Sequence, residues 1–439
     1  MSGPERARKP LLDAANAAFV ALLALLPWMK LGLTVGGMEA FPADLLFLVA
    51  ATLWLLARAA GQTRLRVDRA FVLLALYFAA MAVSAILSVD RSASALKLLT
   101  QVYLLLLPVL AFNLVRTEAD LRRAFAWWLV PAIAVGVYGV ATVALFPIFG
   151  WHSFLREPLH HFGTLPPGPY PRIELTFEFP AMLANYLGVS LMMLMLARSR
   201  GWIGGRFAIA GAAALLISAF FALTPGFGGI VAMLALWLWH AERGCRPLLA
   251  SMALAAAVAT IVLEVAVSAI APVIGPTAPF LIHVPGIATP LAPAVRLLAW
   301  IAAARNFVAS PLFGHGIGVD AVSVLFQTPE DTAPAYITDA HNAFLSIAAQ
   351  CGLLGLAGLV AIVAFAVRKA RAAAGAGPSN PLVFGLWLAW LSGFAIEGLV
   401  GSFEDARHLW ILFGLILSAS RVETAPRPST QANFRPHRR

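Results

Sequence analysis

The chain has 439 residues, of which 61% are hydrophobic and 12% charged, and its mean hydropathy is +0.84. Soluble globular domains carry about 45–50% apolar and about 25% charged residues, so this composition excludes that class and predicts a polytopic membrane protein. The formal charge of +10 is compatible with nucleic-acid binding, but the distribution of the cations described below argues against it.

Repeated apolar runs of about 20 residues match the ~30 Å hydrocarbon core of a bilayer, and a polar backbone inside that core must be helical. We therefore predict an all-α protein with about twelve transmembrane helices. The first run follows a basic N-terminus but lacks a small-residue cleavage site, which favours an uncleaved helix over a signal peptide. The predicted helices are residues 11–29, 42–58, 70–88, 98–115, 124–147, 180–198, 207–223, 228–242, 247–269, 342–367, 381–399 and 407–420.

The basic residues predict the orientation of these helices. If both termini are cytoplasmic, the inner segments hold 23 of the 31 Lys and Arg residues, which obeys the positive-inside rule. The C-terminal segment 421–439 is predicted to be a disordered basic tail attracted to anionic membrane lipids. Membrane lipids, rather than nucleic acid, are thus the expected partners of the positive charge.

Two long loops lie on the predicted outer side, and long loops between membrane helices usually carry function. The predicted organisation is residues 1–269 with helices 1–9 and the outer loop 148–179, a large outer loop 270–341, helices 10–12 in 342–420, and the tail 421–439.

The large loop contains a predicted helix at residues 291–310, lying at or near the outer surface. Arg296 and Arg305 are nine residues apart, which places them on opposite faces of that helix, so only one faces a common site. The stretch "SPLFGHGIG" (310–318) follows, and its three glycines predict a turn with tight backbone geometry.

Ionisable residues inside the predicted spans are scarce, and the clearest, Glu264 and Glu397, lie near outer ends. Transporters usually place such groups at the bilayer midplane between paired broken helices. The sequence indicates neither such helices nor an internal repeat, which favours a one-sided site facing outward.

The tenth helix begins with the polar residues Asp339, His341 and Asn342. We place His341 in its first turn, where unpaired N–H groups disfavour imidazolium and keep a neutral ring that accepts a proton. The alternative is that Asp339 caps the helix while His341 and Asn342 are interfacial polar residues.

Arg172 and Arg296 lie in outer loops but are flanked by apolar sequence. A guanidinium binds diphosphate oxygens through paired charge-assisted hydrogen bonds, which are strong where water is excluded. The alternative for each is snorkelling to lipid headgroups.

The sequence offers no metal or nucleophile motif. It lacks Asp-x-Asp, the pairs Glu330-Asp331 and Glu404-Asp405 point apart in regular structure, and neither Gly-x-Ser-x-Gly nor a P-loop occurs. The expected chemistry is one base and several cations, without metal or other cofactor.

The stretches "RLLAWIAAARNFVASPLFGHGIG" and "DAHNAFLSIAAQCGLLGLAGL" resemble the signature of the O-antigen ligase and polymerase superfamily. Its pattern is Arg, a Trp, a Pro-Leu-x-Gly-x-Gly turn, then His-Asn-x-x-Leu and a Gly-Leu-Leu-Gly helix. The match covers residues 296–356. The large outer loop between helices 9 and 10 resembles the ligases in particular.

The sequence departs from the family pattern at two places. "TPGFGG" (224–229) stands where many members have a Ser-Arg-Gly-like stretch, and Pro180-Ala181 stands where many have Pro-Asn. Neither position is carried over, and Arg296 matches the pattern more directly than Arg172.

The resemblance implies a membrane-embedded (GT-C-like), metal-independent, inverting glycosyltransferase of the bacterial inner membrane with its site on the periplasmic side. Its partners would be undecaprenyl-diphosphate-linked O-antigen as donor and the lipid A core oligosaccharide as acceptor, joined at a sugar hydroxyl. His341 would be the general base, with Arg296 and Arg172 as diphosphate clamps.

Five further residues have possible supporting roles. Asn342 would orient a sugar or the imidazole, Asp339 would set the histidine tautomer, and Glu397 would pair with an arginine. Helix capping is the alternative for the first two, and an interfacial ion pair for Glu397. His315 and Arg305 either line the entry or cover the loop.

Three other functions remain open from the sequence. An O-antigen polymerase uses the same donor with a lipid-linked glycan as acceptor, and a protein O-oligosaccharyltransferase uses a Ser or Thr hydroxyl. A lipid-linked sugar flippase belongs to a different class and would place its arginines in a cavity open alternately to both sides.

Overall fold

The computed structural model describes residues 9–35, 38–150, 157–159, 171–241, 246–270, 295–326, 335–375 and 381–424. These residues form thirteen α-helices and two short antiparallel hairpins. The helices are α1 Pro10–Leu25, α2 Pro42–Ala59, α3 Ala70–Ile86, α4 Arg91–Leu114, α5 Glu118–Phe149, α6 Pro180–Ser199, α7 Gly205–Phe221, α8 Gly226–Ala241, α9 Arg246–Ile270, α10 Val295–Ala309, α11 Ala343–Gly375, α12 Pro381–Leu391 and α13 Arg407–Thr424. The hairpins pair β1 Leu33–Val35 with β2 Met38–Ala40, and β3 Val324–Phe326 with β4 Ala335–Ile337.

Each predicted transmembrane segment coincides with a helix, and the helical fold class is confirmed. Within the described residues, six helices are long and apolar enough to cross a membrane. They are Pro42–Ala59, Arg91–Leu114, Glu118–Phe149, Pro180–Ser199, Ala343–Gly375 and Pro381–Leu399. The number of twelve crossings and their direction stay predictions.

Two of these six helices form the centre of the bundle. The apolar windows of α6 and of Pro381–Leu399 are 83% and 78% buried, whereas those of the other four are 28–44% buried. A helix that is apolar all round and enclosed belongs to the interior, while one with a single buried stripe lies at the perimeter. Aromatic rings fill the interior beside α12, where Trp390 stacks on Phe394 with centroids 4.5 Å apart.

The helix starts follow local chemistry. Proline stands in the first turn of α1, α2 and α6, where its missing N–H costs no hydrogen bond. Asp90 caps α4, since its Oδ1 accepts from the backbone N–H groups of Ser92 and Ala93 at 3.0 Å.

Helix α11 is not the uninterrupted helix predicted for 342–367. Gly352 adopts φ 62° and ψ −160°, which breaks the helix into two parts. At this break the carbonyl oxygens of Ala349 and Gln350 accept from the backbone N–H groups of His315 and Gly316, at 3.1 and 3.0 Å. The glycine-rich turn thus satisfies backbone groups that the break leaves without helical partners.

The predicted tight turn at 310–318 is confirmed. Gly314, Gly316 and Gly318 have φ of 70°, 123° and 82°. A Cβ at Gly316 would lie 2.0 Å from Ser88 Oγ, and one at Gly318 would lie 2.4 Å from Lys97 Cβ. Glycine is required here because the turn packs against both the connection between α3 and α4 and the start of α4.

The predictions for the loop helix and for the C-terminal tail can be compared with the structure only in part, because some of their residues lie outside the described ones. The loop helix α10 lies inside the predicted 291–310, whose first four residues are outside them. The tail was predicted to begin at 421, but α13 continues to Thr424 and Arg421 Nη2 donates to Val67 O at 2.7 Å. Residues 151–156, 160–170, 271–294, 327–334 and 425–439 also lie outside the described residues.

Candidate functional site

Asn342 caps α11. Its Oδ1 accepts from the backbone N–H groups of Phe344 and Leu345, both at 3.0 Å, so the helix begins at Ala343. The alternative that Asp339 is the cap is therefore wrong. His341 precedes the cap with φ 48°, so its predicted place in the first turn of the helix is wrong as well.

Asp339 contacts the histidine and a third residue instead of capping the helix. Its Oδ1 accepts from His341 N at 3.2 Å and from Ser402 Oγ at 2.6 Å. Its Oδ2 lies 3.5 Å from His341 Nδ1. This carboxylate therefore holds the histidine backbone and faces one ring nitrogen, which favours the proton on Nδ1 and leaves Nε2 as the acceptor.

Two neighbouring carbonyl groups bind the side chains around His341. Arg296, on α10, donates from Nη1 to Val400 O, and Asn342 donates from Nδ2 to Leu399 O at 2.9 Å. Both carbonyls lie at the end of the helical segment 392–399 that follows α12, and carbonyls at a helix end lack intrahelical partners. The segment after α12 thereby connects the loop helix α10 to the start of α11.

His341 has a lowered pKa. Burial and then the Arg296 cation lower the pKa of its imidazole to about 4, against the opposite effect of Asp339. The side chain remains 40% exposed, so solvent weakens these effects, but any lowering of the pKa from 6.5 leaves the ring mainly neutral at pH 7. The expectation of a neutral imidazole stands, with burial and Arg296 as its causes in place of the helix terminus.

Residues after α12 extend this polar region, and they were not predicted from the sequence to be part of the site. Burial, followed by Asp405 and Asp339, raises the pKa of Glu404 to about 8. Asp405 forms a salt bridge with Lys97 and accepts from Gln101 Nε2 at 2.6 Å. The polar run "GSFEDAR" (401–407) between two apolar segments was the available signal for this region.

The other arginines and His315 are placed differently from Arg296. Arg172 is buried, 8% exposed, and its Nε donates to Ala222 O at 3.1 Å. Arg296 and Arg305 both lie on α10, nine residues apart, and Arg305 is exposed while Arg296 is half-buried. His315 lies in the glycine-rich turn, where its backbone oxygen accepts from Val89 N at 3.1 Å.

Glu397 does not form the interfacial ion pair considered above. It is 2% exposed, and its Oε2 accepts from Asn185 Nδ2 at 3.0 Å. Asn185 Oδ1 in turn lies 2.7 Å from His408 Nε2. Gly226 makes room for this group, because a Cβ there would lie 2.8 Å from Glu397 Oε2. Glu397 therefore belongs to a buried hydrogen-bond network that links α6 and α13.

Within the described residues, no group of three or more His, Cys, Asp or Glu side chains is arranged to hold a metal ion. The side chains that converge are a neutral imidazole, a guanidinium, a carboxylate and a capping amide. Such a set can accept a proton and bind an anion.

Comparison with known protein families gives a match that covers most of this region. Residues 186–360 match the family described as "O-Antigen ligase" (Wzy_C), whereas no curated protein matches the chain. Of the predicted site residues, only Arg172 and Glu397 lie outside the matched range. This match over part of the multi-pass helical chain supports the resemblance of residues 296–356 to the O-antigen ligase and polymerase superfamily.

Proposed function

We propose that the protein is an O-antigen ligase. It transfers O-antigen polysaccharide from undecaprenyl diphosphate to a sugar hydroxyl of the lipid A core, without a metal ion and with inversion at the anomeric carbon. The observation that supports this most directly is the proximity of a neutral His341 to the Arg296 cation, inside the matched domain.

The proposed chemistry needs one base and one anion site. Nε2 of His341 takes the proton of the acceptor hydroxyl, and the oxygen attacks the anomeric carbon while the bond to the diphosphate breaks. Arg296 binds the departing diphosphate, which carries the electron pair of that bond. Arg172 is proposed as a second cation for the donor.

The distribution of charge supports a periplasmic site. Helices α3 and α11 both run from the site region to basic residues at their other ends, Arg69 and Arg368. Because basic residues concentrate on the cytoplasmic side, the His341 end of these helices is assigned to the periplasmic side of the inner membrane.

Replacement of His341 by Gln tests the assigned base. We expect ligation by the purified protein to fall by roughly 10²- to 10⁴-fold, because general-base help contributes that much. The matched control is His437→Gln in the tail. Near-normal ligation by His341→Gln, with folding confirmed by an unchanged melting curve, would contradict the role.

Gene deletion separates the ligase from its relatives. Ligase loss leaves bare lipid A core with accumulated lipid-linked polymer, whereas polymerase loss leaves core with one repeat. Unchanged lipopolysaccharide would point to a protein-directed transferase. Ligation by purified protein in detergent, without any gradient, separates the enzyme from a flippase.

A further inference from the structure

A groove lies away from the candidate site, at the end of the bundle that carries Arg69 and Arg368, which we call the basic end. Its volume is about 960 Å³, which is at the upper end of the usual range for ligand pockets. It is formed by the start of α3, the far part of α11 and the end of α13.

Helix geometry separates this groove from the site. Ser84 of α3 donates to Gln350 O at the break in α11, beside the glycine-rich turn. Arg69 lies fifteen residues earlier, which is about 22 Å along the helix at ~1.5 Å per residue. A ligand in the groove therefore has no contact with His341 or Arg296.

The groove combines cations with an apolar wall. Arg69, Arg368 and Lys369 are exposed, and Lys369 Nζ lies 5.4 Å from the centroid of the Phe365 ring. Arg421 is engaged within the protein, by Val67 O at 2.7 Å and by Asp68 at 3.7 Å. One carboxylate thus faces four cations, and the groove attracts an anion.

The apolar part of the wall indicates which anion. Val72 and Leu73 on α3 and Phe365 on α11 extend from the cations along helices that are apolar. A free phosphate would use only the cations, whereas a lipid would use both parts. Basic pockets between membrane helices are known binding sites for anionic headgroups.

We propose that this groove binds an anionic phospholipid, with its phosphate among Arg69, Arg368 and Lys369 and an acyl chain along Val72 and Phe365. The basic tail is the competing occupant within the chain. Residues 425–439 carry four arginines and no acidic residue, so the groove repels them.

The test compares two variants with equal loss of charge. Arg69→Gln/Arg368→Gln/Lys369→Gln alters the groove, while Arg122→Gln/Arg123→Gln/Arg206→Gln alters exposed cations outside it. Purified proteins are titrated with phosphatidylglycerol or phosphatidylcholine, and the melting temperature and the lipid retained in native mass spectra are measured.

Phosphatidylglycerol should raise the melting temperature of the wild type and of the control variant more than phosphatidylcholine does. The groove variant should bind it on the order of 100-fold more weakly, since each basic residue near a membrane surface contributes about fivefold. Equal shifts in the two variants would overturn the proposal. If the groove variant does not purify, Arg368→Gln and Arg122→Gln are compared in the same way and with the same criterion.

Two further measurements test the other possible occupants of the groove, which are free phosphate and the C-terminal tail. Inorganic phosphate, at a concentration equal to that of the lipid headgroups, should not shift the melting temperature. A shift as large as that with phosphatidylglycerol would mean that the groove binds a free anion, and it would overturn the lipid site. Removal of residues 425–439 should leave the preference for phosphatidylglycerol unchanged. Loss of that preference on truncation would assign the groove to the tail and overturn the lipid site.

Discussion

Arg296 affects His341 before any substrate is bound. Its charge and burial together hold the pKa of the imidazole at about 4, so His341 is in its base form throughout the neutral range. When donor diphosphate neutralises Arg296, the lowering effect of that cation weakens and the proton affinity of His341 rises. Under the proposed function, the base therefore becomes stronger when the donor is in place.

The pH dependence of two Arg296 variants tests this coupling. Loss of a cation raises the pKa of His341, so a protonated and inactive ring persists to higher pH. We expect the acid limb of kcat/KM in Arg296→Gln to lie between the wild-type value, near pH 4, and pH 6.5, the ordinary histidine pKa. Arg296→Lys keeps the charge and should keep the limb near its wild-type position.

The control for this prediction is Arg305→Gln, on the exposed face of the same helix, which should leave the acid limb unchanged. Residual transfer by both Arg296 variants is measured from pH 4 to pH 8 with saturating acceptor. Coincident limbs in Arg296→Gln and Arg296→Lys would show that the charge does not set the histidine pKa.

At the scale of the elements, the apolar pattern predicted where the helices lie but not how α11 begins. Asp339 and Asn342 are both good capping residues, and the sequence cannot show which carboxyl or amide oxygen faces the free N–H groups. Because Asn342 and not Asp339 is the cap, His341 lies before the helix and not in its first turn. The hydrogen bond of Glu397 could not be predicted from the sequence either, because its partner Asn185 lies 212 residues away in the chain.

The break in α11 was likewise not predictable from helical periodicity. Gly352, Gly355 and Gly358 look alike in sequence, and small residues in a membrane helix generally favour close packing between helices. Only Gly352 has a positive φ, and a Cβ there would lie 2.4 Å from the carbonyl carbon of Leu312. Gly358 does pack closely, since a Cβ there would lie 3.0 Å from Tyr77 Cδ2.

Two glycine-to-alanine variants separate strain from contact at this break. Gly61 has φ 71° and open space around it, whereas Gly352 has φ 62° and the backbone of Leu312 against it. Gly61→Ala should cost about 1–2 kcal/mol of unfolding free energy through the left-handed conformation alone. Gly352→Ala should cost about 1–3 kcal/mol more, because Leu312 must move.

Unfolding of the purified variants in mixed micelles measures this difference, with equal protein concentration in each sample. Equal destabilisation of the two variants would mean that the turn at 310–318 does not press on the break. The helical content at low temperature should remain that of the wild type in both.

At the scale of the whole molecule, the two ends of the bundle differ in chemistry. One end carries His341, Arg296 and the glycine-rich turn, and the other carries the basic groove between α3, α11 and α13. The composition predicted a helical membrane protein because lipid allows few other structures. It could not predict the centre of the bundle, since α6 and Pro381–Leu399 both have a mean hydropathy of 1.6, within the range of 1.5–2.2 of the four perimeter helices, and are distinguished from them by their packing.

The direction of the chain in the membrane is predicted from the distribution of charge, and it can be measured with introduced cysteines. In a chain with Cys245→Ser and Cys351→Ala, Arg305→Cys marks the site end and Arg122→Cys marks the basic end, and both positions are exposed. A membrane-impermeant maleimide added to cells with a permeabilised outer membrane should label Cys at 305 and not at 122. Detergent lysis removes the inner membrane as a barrier to the maleimide, so both variants should then be labelled equally. Labelling of the 122 variant alone in such cells would reverse the orientation and place His341 in the cytoplasm, where an acceptor exposed to the periplasm could not reach it.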